Sequence, residues 1–210
     1  MYCIAVKSRH DKELADLLHR CPDLWRGQQA RAPAQAPWPS GGHALDQALP
    51  WGGWPAYGLI EIDSRLPASP LRAFLPLMAA VTRAGLYVVF IRPPWIPFSP
   101  RLQEAGIASE RLLVARTEAE DEANWLLESV LRSAQCGVVL AWPAIRKLPM
   151  HRQRRWQLAA QTGQTLGLIY RPAGAAQPYL SNAQLQIRLD AKTLEVTKAR
   201  GCHTRPRITL

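Results

Sequence analysis

No apolar run in this chain of 210 residues approaches the roughly 20 residues that a bilayer crossing needs, which excludes a membrane-spanning helix. Cysteine is scarce. Cys3, Cys21, Cys136 and Cys202 lie far apart and form no C-x-x-C, so the sequence offers neither a disulfide framework nor zinc-finger spacing. His19 with Cys21, and Cys202 with His203, are isolated pairs rather than a ligand set. The first 20 residues carry Asp11, Lys12 and Glu13 where a secretory signal needs an unbroken apolar block. A reducing, cytoplasmic setting is therefore expected. No G-x-S-x-G is present for an acyl-transfer serine, and Cys136 has no adjacent base.

Acidic residues are also few, 16 against 26 Lys and Arg, for a net charge of +10. The excess is concentrated late in the chain. Arg146, Lys147, Arg152, Arg154 and Arg155 fall within 144–160 without an acid; Lys192, Lys198, Arg200, Arg205 and Arg207 fall within 191–207 against Glu195 alone. Clustered positive charge suits nucleic acid or an acidic protein surface. With 48% apolar and 20% charged residues, the chain has the composition of one globular domain with a short arm.

The periodicity divides the chain into three parts. Residues 1–42 read as an N-terminal arm, with a short helix over 10–20 and a Pro/Ala-rich linker over 27–42. Residues 43–198 alternate strand and helix. Strands are expected at 59–63, 86–91, 111–115, 137–142 and 165–170, and a closing β-hairpin at 185–196. Helices are expected at 70–84, at Ser99 to Gly106, behind a capping box of Thr117 and Glu120, and at 148–161. Pro76 should kink the first of these or delay its start, because its ring removes one amide donor. This order predicts an α/β fold with a mainly parallel sheet flanked by helices. Residues 199–210 read as an extended basic tail.

In such a fold the first strand-to-helix turn would hold phosphate. A P-loop requires G-x-x-x-x-G-K-[ST], with glycines to open the backbone, Lys for charge and a hydroxyl for Mg²⁺. Here Ser64 and Ser69 stand for the glycines, and Pro70 and Leu71 for the Lys and the hydroxyl. The strand ending at Trp142-Pro143 provides no carboxylate for metal or water. The expectation is a domain of nucleotide-hydrolase shape that is not an enzyme and holds no cofactor or metal. Arg65 and Arg72 remain as cations near the turn. On helix 148–161, Leu148, Trp156 and Ala159 form the inner stripe, Arg152 lies near the Trp156 ring, and Arg154 points away. Arg154 with Lys198, Arg200, Arg205 and Arg207 are the candidate partner or DNA contacts. Trp25 is the candidate anchor of the arm, one of eight tryptophans that stand mostly beside Pro or Gly.

Several phrases, in this order, resemble one family. They are Leu24-Trp25-Arg26-Gly27, Ala44-Leu45-Asp46, Gly52-Gly53-Trp54-Pro55, Phe74-Leu75-Pro76, Pro93-Pro94, Cys136-Gly137-Val138-Val139-Leu140-Ala141-Trp142-Pro143, Gly163-Gln164-Thr165-Leu166-Gly167 and Tyr170-Arg171-Pro172. Across about residues 23–201 the chain resembles the ImuA proteins, RecA-like relatives of the division inhibitor SulA. The resemblance implies a RecA-like fold with a degenerate nucleotide site. It also implies a non-catalytic adaptor role in translesion DNA synthesis, induced by DNA damage under SOS control. The implied partners are an ImuB-like polymerase homologue, an error-prone DNA polymerase and RecA, with non-specific DNA contact. The family brings no catalytic residues to transfer. The alternative is a SulA-like division inhibitor that binds FtsZ.

Overall fold

The computed structural model describes residues 35–64, 71–97, 99–172, 174–175, 179–180, 182–200 and 205–210. The predicted helix over 10–20, Trp25 and Arg65 lie outside these residues. In chain order the elements are α1 (His43–Ala48), β1 (Gly58–Ser64), α2 (Leu75–Arg83), β2 (Tyr87–Ile91), α3 (Ser99–Glu104), β3 (Leu112–Ala115) and α4 (Glu120–Arg132). They continue with β4 (Cys136–Ala141), α5 (Met150–Gly163), β5 (Leu166–Tyr170), β6 (Leu185–Leu189), β7 (Thr193–Ala199) and β8 (Arg207–Thr209).

Among the described residues the eight strands form one sheet in the order β3-β2-β4-β5-β1-β6-β7-β8. The first six in that order run parallel, and β7 and β8 close the edge antiparallel. This is the expected α/β architecture. The strands β4 and β5 are buried along their whole length, as strands covered on both faces must be. On β1, Ile60 and Ile62 join Leu77, Met78 and Val81 of α2 in one core. Leu59 faces the other way, into a second core with Leu127 and Leu131 of α4 and Trp156 and Ala159 of α5. In β6 alternate residues are buried, the pattern of a sheet half-covered by the fold.

Pro76 delays its helix as expected. A 3-10 turn at Leu71–Phe74 precedes α2, which then starts with proline in its first turn, where no amide donor is missed.

Three expectations change. The capping box does not form: α4 starts at Glu120 after an extended Ala119 that makes no side-chain cap. The Glu120 carboxylate is taken by the Arg92 guanidinium at 2.5 Å and by the Ala144 amide at 3.3 Å. With Ala119 as the N-cap, Glu120 is the first helical residue rather than the third that a capping box needs, and its charge is paired with Arg92 instead. The linker does not extend to residue 42, because Trp38 pairs with Trp54 through two backbone hydrogen bonds of 2.8 Å and its indole N–H reaches the Ala56 carbonyl at 3.1 Å. The basic tail ends in structure: Arg207–Thr209 add β8 to β7, and the Leu210 amide bonds the Lys192 carbonyl at 2.8 Å. Ile208 alternates inward against the core, which the tail's charge concealed. Among the described residues no helix is long and apolar enough to cross a membrane.

Candidate functional site

The carboxyl ends of the parallel strands are where open α/β sheets bind ligands. Here aromatic side chains fill the part of that edge formed by β2, β4 and β5. Trp142, the residue after β4, stacks on Tyr170 at the end of β5 with centroids 4.4 Å apart and planes 11° apart. It also stacks on Phe90 of β2 at 6.2 Å, and Trp95 meets both rings edge-on at about 6 Å. Each of these strands delivers an apolar ring where a hydrolase of this shape would deliver a carboxylate or a polar hook. Trp142 is therefore structural, as its position suggests, and Trp95 joins it.

Beside the stack, Arg92 adopts φ 54°, a conformation that non-glycine residues rarely take. Its guanidinium is committed to Glu120. The shallow cavity next to it, about 460 Å³, is lined by Arg92, Pro93, Pro94, Trp95, Arg116 and Thr117. Arg72, a cation of the first turn, donates to the Leu210 main-chain oxygen at 2.6 Å and so braces the last strand.

A polar network that the motif reading passed over lies on β1. Glu61 and Asp63 alternate onto one face with Leu59. Glu61 is only 5% exposed; it accepts from the Leu180 amide at 2.8 Å and from the Gln186 amide group at 3.1 Å. Burial pushes its carboxyl above the ordinary 4.5, against the opposing pull of the Leu180 N–H and Arg171. Asp63 pairs with Arg171 at 2.5 Å and Arg188 at 3.4 Å, and Arg188 continues to Glu195 at 3.5 Å. The signal was the alternation in Leu59-Ile60-Glu61-Ile62-Asp63: an acid inside a central strand must meet partners. With each carboxylate matched by an arginine or an amide, the network pins the segment around Leu180 over the sheet. Among the described residues no group of three or more His, Cys, Asp or Glu is arranged to hold a metal ion.

Glu61 gives a pH prediction. A carboxyl raised in the folded state binds its proton more tightly there than when unfolded. Its stabilising contribution is therefore present at low pH and is lost as pH rises through the range just above 4.5. Glu61→Gln keeps the acceptor for Leu180 without the charge. Urea unfolding of the variant at pH 5 and pH 7.5 is expected to show a smaller loss of stability than the parent chain; equal losses would refute the assignment.

Burial also raises the Cys136 thiol to about 12, which keeps it protonated among the packed side chains at neutral pH. The candidate cations separate into two places. Arg154 is exposed on α5, where it bonds Gln157 at 3.3 Å. Lys198 stands next to the last residue of β7, Arg200 follows the strand, Arg205 precedes β8, and Arg207 opens β8 opposite Glu195; all four are exposed along this antiparallel edge. Arg152 reaches Asp121 of α4 at 3.6 Å rather than stacking on the fully buried Trp156.

Sheet order and a core on each face define an α/β protein of the doubly covered, mainly parallel class. No family model matches the chain. Over 114 residues, 54% of its length, it is 28% identical to RecA of a Nocardioides species and 29% identical to RecA of Acidothermus cellulolyticus. These stretches are 32% and 33% of those proteins, so the chain spans about a third of the length of the curated relatives it matches. The crystal structure of SulA from Pseudomonas aeruginosa aligns with 55% of this chain and 98% of that one, at 24% identity and a TM-score of 0.45. The chain is thus distantly similar to RecA over about half its length.

Proposed function

We propose that this chain is a non-catalytic RecA-like adaptor in SOS-induced translesion DNA synthesis in the cytoplasm. Its partners in this reading are an ImuB-like polymerase homologue, an error-prone DNA polymerase and RecA. The exposed cations Lys198, Arg200, Arg205 and Arg207 supply non-specific DNA contact. The observation that carries the non-catalytic part is Trp142 stacked on Tyr170 at the strand ends. Similarity to RecA supplies the frame. Pro70 and Leu71, where a P-loop has Lys and a hydroxyl, argue the same way from sequence.

The test is a pull-down with the purified chain against purified ImuB and purified RecA, paired with a radiolabelled ATP titration. Retention of at least one protein is expected, without Mg²⁺-dependent ATP binding in the micromolar range. Failure to retain either would count against the adaptor; micromolar ATP binding would overturn the non-catalytic reading. Expression in undamaged cells separates the SulA-like alternative: normal septation is expected, and filamentation would point to FtsZ.

A further inference from the structure

The helices α4 and α5 lie side by side and parallel, as the sequence of their contacts shows: Asp121 meets Arg152, Glu128 meets Arg155 at 2.8 Å, and Gly163 abuts Leu131 and Arg132. On the outer side of this pair Trp125 is 68% exposed. An indole left that far in water marks a contact surface more often than a lone leucine does. It lines a groove of about 510 Å³ with Glu128, Ser129, Arg132, Ser133 and Arg155.

Charge along this face is polarised. At the start of α4, Glu118, Asp121 and Glu122 are exposed, and the Asp121 side chain is 95% exposed despite its weak contact with Arg152. At the other end, Arg132 and Arg155 share the single Glu128 carboxylate at 3.0 and 2.8 Å, leaving one cation in excess and unused N–H donors. Asp121, Trp125, Glu128 and Arg132 follow the i, i+4, i+7, i+11 stripe of one helix face. Asp121 and Arg132 stand about 16 Å apart along the axis, and Trp125 lies within one turn of their midpoint.

We propose that this face is a contact between two copies of the chain, related by a two-fold axis passing beside Trp125. Such an axis lays α4 antiparallel on its own copy. Asp121 and Glu122 of each copy then meet Arg132 of the other, the two indoles pack beside one another, and the helix dipoles oppose. A face that is acidic at one end, aromatic in the middle and basic at the other is complementary to itself under this operation. A phosphate chain is a poorer occupant, because the acids at the start of α4 repel it. The inference stands apart from the adaptor reading: the dimer can form whether or not ImuB or RecA is retained.

Sedimentation equilibrium of the full chain over roughly 1–100 μM spans the affinities of interfaces at the small end of the size range. A monomer–dimer equilibrium is expected. Trp125→Ala should weaken it about tenfold, with an unchanged melting temperature at concentrations low enough that the parent too is monomeric, because the side chain is exposed. Arg132→Glu alone, and the pair Asp121→Lys with Glu122→Lys alone, should each weaken it about fivefold. Mixing these two reversed variants should restore dimers, now as heterodimers, since each reversed end meets its complement. A chain that stays monomeric throughout, a Trp125→Ala variant as dimeric as the parent, or a mixture no better than its components would overturn the proposal. So would a monomer whose Trp125 is required for binding a single-stranded oligonucleotide.

Discussion

Trp54→Ala is expected to cost about 3–5 kcal/mol, the range for truncating a fully buried tryptophan, and to lower the melting temperature by roughly 10 °C. Trp54 is completely buried, and its ring lies 5.0 Å from Phe74 in the turn that precedes α2. It shares one core with Leu45, Leu49 and Leu77, which brings α1 and α2 into the same cluster. Its backbone exchanges both hydrogen bonds with Trp38, and a Cβ on Gly53 would be driven into the Trp38 carbonyl at 2.5 Å. Residues 35–42 should consequently loosen in the variant, and limited proteolysis there should quicken. Trp54→Phe separates ring from indole. The Trp54 Nε1 is buried with no hydrogen-bond partner, so phenylalanine removes an unpaired donor while keeping most of the volume. That variant should lose about 1 kcal/mol or less. Urea unfolding distinguishes the two; an alanine variant as stable as the phenylalanine one would show that the clip is not held by this side chain.

The same tryptophan shows where sequence reading reaches its limit. Short apolar runs located β1, β2, β4 and β5, because a strand buried on both faces has almost no other composition available. Of the two outcomes Pro76 allowed, a kink or a late start, the late start is the one found, since a missing amide is harmless in the first turn. Trp54, by contrast, sits in a Gly/Pro-rich stretch that reads as loop, and nothing local says that Trp38 returns to pair with it. The tail failed for a related reason: Arg205 and Arg207 dominate its composition, while the strand depends on Ile208 and on the unpaired edge of β7, a distant partner. At the site, the missing phosphate-binding residues were legible as a string. The stack of Trp142 on Tyr170 was not, because it joins the ends of two strands that only the sheet order makes neighbours. Glu61 was legible in principle as an acid within an apolar strand, but its partners Leu180 and Gln186 lie more than a hundred positions away. Trp125 fell among apolar neighbours that do face the core, and one residue of offset places it outside.

Gly163→Val is expected to destabilise the chain more than Trp54→Ala. Gly163 ends α5 where that helix closes on the end of α4. A Cβ built there would stand 2.6 Å from the Arg132 carbonyl carbon and 2.8 Å from its oxygen, with the Leu131 carbonyl oxygen closer still. All three obstacles are backbone, so no side chain can rotate away, and α4 and α5 must separate. Even alanine, which in an open helix would gain about 1 kcal/mol over glycine, should lose roughly 2–3 kcal/mol here through overpacking. Valine adds two methyl groups and a stiff χ1 to the same collision. The separation would also strain Leu131, Trp156 and Ala159, which pack together between these helices and the sheet. A valine variant that accumulates in soluble form should therefore melt well below the alanine variant, and both below the parent chain. Gly85→Ala serves as the reference for backbone strain alone, because its φ is 80° and a Cβ there meets nothing within 4 Å. If Gly163→Ala proved as stable as the parent, the close approach of α4 and α5 would be wrong. The parallel pairing that orients Trp125 and Arg155 on one face would fall with it.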